Sequence, residues 1–290
     1  VTVEPFSLPL CGQTARGLRR RGEGARVLAL HGWLDNAASF LPLVEHLGDA
    51  DVVMLDLPGH GLSSHLPEGA EYSTAAAICH VLDVADALAW TRFTLLGHSM
   101  GAGIASLTAA VSGRVERLVA IEALGGLRGP EEETAQRLRE YVDARRNVVQ
   151  APLRVFPTLL APIRARMRVN QLSEANARLL VERGVVEVDG GFSWRSDRRL
   201  MLPTALRMTE GQIDALLQAV ACPTQVIYAT PAQSYYPEPL RSERLRHLRD
   251  GRLAVLPGSH HVHMEHPAEV GRIIRAFMTA TVGPGGSVAG

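Results

Sequence analysis

The five residues Gly97-His98-Ser99-Met100-Gly101 constrain this chain more than any other stretch. They fit the pattern G-x-S-x-G, in which a serine sits on a tight strand-to-helix turn with its hydroxyl pushed into the open. Such a turn brings backbone against backbone, so a Cβ at either glycine would clash. The flanking residues suit it. Phe93-Thr94-Leu95-Leu96 is a short apolar run of the kind that makes a buried parallel strand, and Ala102 to Ala110 is small and helix-compatible. A helix that starts at the serine also aims backbone N–H groups and a positive dipole end at it.

A buried strand of this type belongs to a larger sheet. Similar runs recur at Val27–Leu30, Val52–Leu55, Leu118–Ile121, Gln225–Tyr228 and Leu253–Leu256. Helical patterns lie between them, such as Thr74 to Trp90 with Ser73 as N-cap. This alternation predicts an α/β fold: a mostly parallel sheet with helices on both faces and functional groups at the carboxyl ends of the strands. From Gly125 to about Glu210 the rhythm breaks. That stretch shows no convincing strand, helical patterns at Glu131 to Val149 and Ser173 to Arg183, and turns at Gly190-Gly191 and Pro203. It is too long for an ordinary connection. The expected organisation is a core of residues 1–124 and 211–282, a helical cap over 125–210 inserted after the strand ending near Glu122, and a flexible tail over 283–290.

A serine hydroxyl becomes a nucleophile only when a base takes its proton. Among eleven histidines, His260 follows the last strand in Pro257-Gly258-Ser259-His260, where a base can reach across the strand ends; His261, His263 and His266 are its rivals. An oxyanion formed at the serine needs N–H donors. The expected donors are the backbone of Met100 and that of Trp33, in the loop His31-Gly32-Trp33-Leu34-Asp35-Asn36. Gly32, Trp33 and His98 are the expected pocket residues. The acid is expected at Glu122, which ends the strand beside the serine's own. Glu238 is the alternative, since Ala229 to Ser234 holds no carboxylate. Asp56 reads as a loop-fixing residue. Arg154, Arg164, Arg166 and Arg168 read as a solvated helix face, with recognition of an acidic substrate as the alternative.

Taken together, His31-Gly32-Trp33, Asp56-Leu57-Pro58-Gly59-His60-Gly61-Leu62-Ser63, Gly97 to Gly101 and Pro257 to His260 resemble the α/β-hydrolase fold. More closely, His31 to Phe40, Gly258 to Met264 and Leu179 to Gly184 are similar to the serine hydrolase-like proteins. The resemblance implies Ser99 as nucleophile and His260 as base. Some α/β-hydrolases, including certain dehalogenases, carry their acid after the strand that follows the elbow, which supports Glu122; the common Gly-x-x-Asp pattern is missing from Ala229 to Ser234. Serine rather than aspartate at position 99 argues against haloalkane dehalogenase and epoxide hydrolase chemistry. The expected activity is hydrolysis of an ester-like acyl bond through an acyl-enzyme. A thioester, amide or carbon–carbon bond is possible on the same residues, and a non-catalytic ligand-binding scaffold is the other alternative.

Composition narrows the partners. The 290 residues carry a formal net charge of zero, which points away from nucleic acid and anionic membranes. No apolar run reaches the ~20 residues of a membrane span, and Val1 to Leu10 lacks a secretory pattern. Cys11, Cys79 and Cys222 show no C-x-x-C spacing, which suits a reducing compartment. The expectation is a cytoplasmic monomer or homodimer acting on a small molecule. No metal or cofactor is expected, since the histidine cluster lacks an H-E-x-x-H frame or spaced carboxylates.

Overall fold

A computed structural model describes residues 2–10, 12–148 and 154–280. The expected tail and Cys11 lie outside these residues, as does Val149 at the end of one expected helix. Among the described residues eight strands form the main sheet: β1 (Glu4–Leu10), β2 (Gln13–Arg20), β3 (Arg26–Leu30), β4 (Asp51–Asp56), β5 (Phe93–His98), β6 (Val115–Ile121), β9 (Thr224–Thr230) and β10 (Gly251–Pro257). Their order is β1-β2-β4-β3-β5-β6-β9-β10. Pairing is parallel from β4 to β10, and the β1–β2 hairpin joins β4 antiparallel. All six apolar runs read from the sequence are strands of this sheet. β1 and β2 were not among them, because β1 contains two prolines and β2 three arginines. Arg20 is buried nonetheless, its guanidinium donating to the Val44 and Ala50 carbonyls at 2.7 and 2.6 Å.

Among the described residues ten α-helices accompany the sheet: α1 (Leu41–Val44), α2 (Thr74–Ala87), α3 (Met100–Val111), α4 (Thr134–Val148), α5 (Leu160–Asn170), α6 (Glu174–Gly184), α7 (Glu210–Ala219), α8 (Glu238–Arg246), α9 (Val262–Glu265) and α10 (Pro267–Thr279). The Ser73 hydroxyl caps α2 by accepting the Ala76 N–H, and Ser173 caps α6 by accepting that of Asn176. Two apolar cores sit on opposite faces of the sheet. One packs α2, α3 and α7 against it; the other packs α1 and α10. No described helix is long and apolar enough to cross a membrane.

Residues between β6 and β9 hold α4 to α6 and, against expectation, a strand pair: β7 (Val185–Val188) and β8 (Gly191–Trp194). Four-residue strands, one starting at a glycine, are too short to show a period of two. This segment has its own small core of Ile163, Leu172, Ala177, Leu180, Val181 and Val185, which Met264 of α9 completes. It is therefore seated against the loop that follows β10. Further ties reach the sheet's carboxyl end: Asn36 donates to the Leu180 carbonyl and Asn176 to that of Met264, both at 2.8 Å.

Candidate active site

The elbow geometry follows from its two glycines. A Cβ on Gly97 would stand 2.4 Å from Ala102 Cα, and one on Gly101 would stand 2.0 Å from the Leu30 carbonyl oxygen. With those positions bare, α3 runs directly under β3 and β5. Ser99 is held between β5 and α3 at φ 52°, ψ −117°, a left-handed conformation unusual for a residue with a side chain. Its N–H donates to the Ile121 carbonyl at 2.9 Å, and its carbonyl accepts from Gly103. The turn is thus fixed from both sides.

The structure brings Ser99, His260 and Glu122 together from three strand ends. His260 Nε2 lies 2.8 Å from Ser99 Oγ, and His260 Nδ1 lies 3.1 Å from Glu122 Oε2. A carboxylate can only accept, so Nδ1 carries the proton and Nε2 presents a lone pair to the serine hydroxyl. Glu122 also has a left-handed backbone, φ 61°. Its N–H pairs with Ile227, and its carboxylate reaches across β9 to accept the Ala229 N–H at 2.5 Å. A carboxylate from β6 therefore occupies the end of β9, where the sequence lacks one. The glutamate side chain is buried, and so is its counter-charge. Arg241 approaches it at 3.3 Å, donates to the Ala229 carbonyl at 2.7 Å, and lies 4.5 Å from the Tyr228 ring centroid. Glu238, the alternative acid, is exposed at the start of α8 and accepts from Ser242 at 2.8 Å.

Of the rival histidines, His261 Nε2 is 3.0 Å from Asp35 Oδ2, His263 Nε2 is 2.8 Å from Ser39 Oγ, and His266 is exposed. His98 departs from the expected pocket role. It is 1% exposed and donates from Nε2 to the His260 carbonyl at 2.8 Å. Gly32 is packed on the same imidazole, where a Cβ would stand 2.9 Å from Nδ1. Both are buried, His98 because the residue before the serine is turned into the packed interior. Trp33 does reach the surface, half exposed, and its indole N–H donates to the Leu200 carbonyl at 3.0 Å.

The two expected oxyanion donors lie at the start of α3 and in the turn after β3. Met100 is the first residue of α3, so its N–H has no acceptor within the helix. The Gly32-Trp33-Leu34-Asp35 turn closes through the Asp35 N–H and the Gly32 carbonyl at 3.1 Å, a bond that leaves the Trp33 N–H out. Asp56 fixes the loops behind this turn. Its carboxylate accepts the Ala37 and Leu62 N–H groups at 2.7 and 2.9 Å and pairs with Arg183 of α6 at 2.6 Å. His31 beneath it is locked as the neutral tautomer, Nδ1 donating to Gly32 and Nε2 accepting from Leu57. Burial holds its pKa down.

Sequence reasoning missed Asp35, Arg166 and Tyr235. Burial raises the Asp35 carboxyl, but His261, Arg166 and His98 outweigh it and hold the group well below its usual range. Burial, then His263, His261 and His260, push His98 well down. Asp35, His98 and His261 place ligand atoms within 4.8 Å of one another, yet Arg166 already neutralises Asp35 at 3.1 Å. A divalent cation would leave net positive charge in a fully buried site, so these residues do not fit one. Tyr235 is exposed beside the site, with Oη 3.5 Å from His260 Nε2. Its place just past the end of β9 was the available signal.

A family model described as alpha/beta hydrolase fold matches residues 25–220. A serine hydrolase-like protein of Dictyostelium discoideum is 32% identical over 270 residues, 87% of this chain and 74% of that one. One of Danio rerio is 31% identical over 268 residues, 88% and 82% of the two chains. The crystal structure of a hypothetical protein from Pseudomonas aeruginosa PAO1 superposes with a TM-score of 0.90 at 36% identity, covering 96% of this chain and all of that one. The chain belongs to the α/β-hydrolase fold family, and to the part of it that contains the serine hydrolase-like proteins.

Proposed function

We propose that the protein is a serine hydrolase that cleaves an ester-like acyl bond of a small molecule. The single observation that carries this reading is the continuous chain from Ser99 Oγ to His260 at 2.8 Å and on to Glu122 at 3.1 Å. In this reading His260 Nε2 takes the serine proton as Oγ attacks the carbonyl carbon. Glu122 holds the imidazole by Nδ1 and stabilises the imidazolium, while Arg241 lies against the glutamate as its buried counter-charge at 3.3 Å. The Met100 and Trp33 N–H groups stabilise the oxyanion. The imidazolium then protonates the leaving group, and a water activated by the same imidazole releases the acid from Ser99.

The segment 125–210 serves here as the cap of a core made of residues 1–124 and 211–282, with Trp33 at the seam. Among the described residues two free thiols, Cys79 exposed and Cys222 buried, suit a cytoplasmic setting. The test is hydrolysis of a panel of short-chain nitrophenyl esters and thioesters by wild type and Ser99→Ala. Turnover that Ser99→Ala abolishes is expected. Turnover that survives the substitution contradicts the reading.

A further inference from the structure

Of the four arginines that read as a solvated face, Arg164 and Arg168 are exposed on α5 and Arg154 is exposed before it, but Arg166 is turned inward. Its side chain is 14% exposed. The guanidinium lies 5.8 Å from the Trp194 ring centroid and donates to Asn170 Oδ1 at 3.3 Å. Its remaining bonds leave the inserted segment. They go to the Leu34 carbonyl and, at 3.1 Å, to Asp35 Oδ1. Those are the two residues that follow Trp33.

That turn needs outside support. Leu34 has φ 59°, a left-handed backbone that a residue with a branched side chain rarely adopts and that strains the chain. It persists only where the surroundings over-determine it. Arg166 does so by holding the carbonyl of the strained residue and the carboxylate of the next one in a single planar fork. Asp35 carries the restraint further. Its other oxygen accepts from His261, the neighbour of His260, and faces His98 Nδ1 at 3.8 Å. His98 in turn donates to the His260 carbonyl.

We infer that Arg166 is a positioning residue through which the inserted helices set both the Trp33 turn and the His260 loop. It touches neither substrate nor reacting atoms. Its effect is to keep the Trp33 N–H and the His260 imidazole in register with Ser99, so that seating of α5 assembles the site and lifting it loosens both halves at once. This rests on the function proposed above for turnover, but the restraint itself is a property of the fold. A displacement of about 1 Å in such groups costs roughly a hundredfold in rate.

The test compares Arg166→Gln, Arg166→Lys and Arg166→Ala with Arg164→Gln and Arg168→Gln. Two measurements are made: kinetics (kcat and KM) on a nitrophenyl ester, and amide hydrogen exchange of the peptide spanning residues 31–36. The expected result for Arg166→Gln is a kcat about 10- to 100-fold lower per titrated active site, with KM within about threefold. Exchange over 31–36 rises about tenfold, Arg166→Lys is intermediate, and millimolar guanidinium restores part of the kcat of Arg166→Ala. The two exposed-face variants match wild type. Unchanged exchange over 31–36 in Arg166→Gln overturns the inference whether or not the protein turns over an ester. So does a loss of activity accounted for wholly by a smaller fraction of folded protein. A wild type that hydrolyses nothing, with exchange behaving as expected, counts against the proposed function and leaves the positioning role standing.

Discussion

Glu122 Oε2 lies 3.1 Å from His260 Nδ1 across 138 residues of sequence, while its other oxygen accepts the N–H of Ala229 on the next strand. One buried carboxylate therefore ties β6, β9 and the loop after β10 into a single arrangement. Its strained backbone, at φ 61°, turns the side chain along the sheet edge and toward the imidazole.

Substituting this carboxylate has two effects. In the proposed mechanism Glu122→Gln keeps the shape but removes the charge that orients and stabilises His260, so kcat/KM falls about a hundred- to ten-thousandfold. It also leaves the Arg241 guanidinium buried without its counter-ion, which costs about 3–5 kcal/mol of stability. Glu238→Gln stays within about twofold of wild type. Ester turnover and a thermal melt on both variants check this; loss of activity in Glu238→Gln alone would reverse the assignment.

Asp56 is a second load on the carboxyl edge, gripping two loop N–H groups and Arg183 of α6. Asp56→Asn leaves that guanidinium without its charge partner and costs about 3 kcal/mol. For a chain of this size the melting temperature drops by roughly 6–12 °C. A melting temperature within about 2 °C of wild type contradicts the role given to Asp56.

The pH dependence of stability follows from buried imidazoles. Burial lowers His80 to about 4 and His60 to about 3. In the unfolded chain both bind a proton near pH 6.5, so below that pH the unfolded state holds more protons than the folded one. Their penalty is absent above about pH 6.5 and grows as pH falls toward the folded-state values, reaching a few kcal/mol each. Denaturant unfolding between pH 4.5 and 7.5 should show stability rising with pH. His80→Gln should flatten that slope, and an unchanged slope in the variant contradicts the assignment.

How much of this was legible depends on whether local sequence or distant packing decides a residue's role. Ser99 was legible because the elbow's geometry forces glycine on both sides of it. His260 and Glu122 were legible because both follow apolar runs that can only be buried strands, and a charge ending such a run needs a partner. Arg166 was not. On α5 it is one of three arginines at alternate positions, and only the docking of that helix decides which faces inward. His98 was misread for a related reason, since alternation along β5 sends it into the packed face that Asp35 and the His260 loop complete. The β7–β8 pair and the proline- and arginine-rich β1 and β2 were hidden because tertiary pairing overrides weak local propensity.

The most direct test of the Ser99–His260–Glu122 account is covalent labelling of the native protein by a fluorophosphonate, located by peptide mass spectrometry. The account predicts one adduct, on the peptide carrying Ser99, absent from Ser99→Ala and slowed at least a hundredfold in His260→Ala. A well-folded wild type that takes no label, or takes it on another serine, contradicts the account.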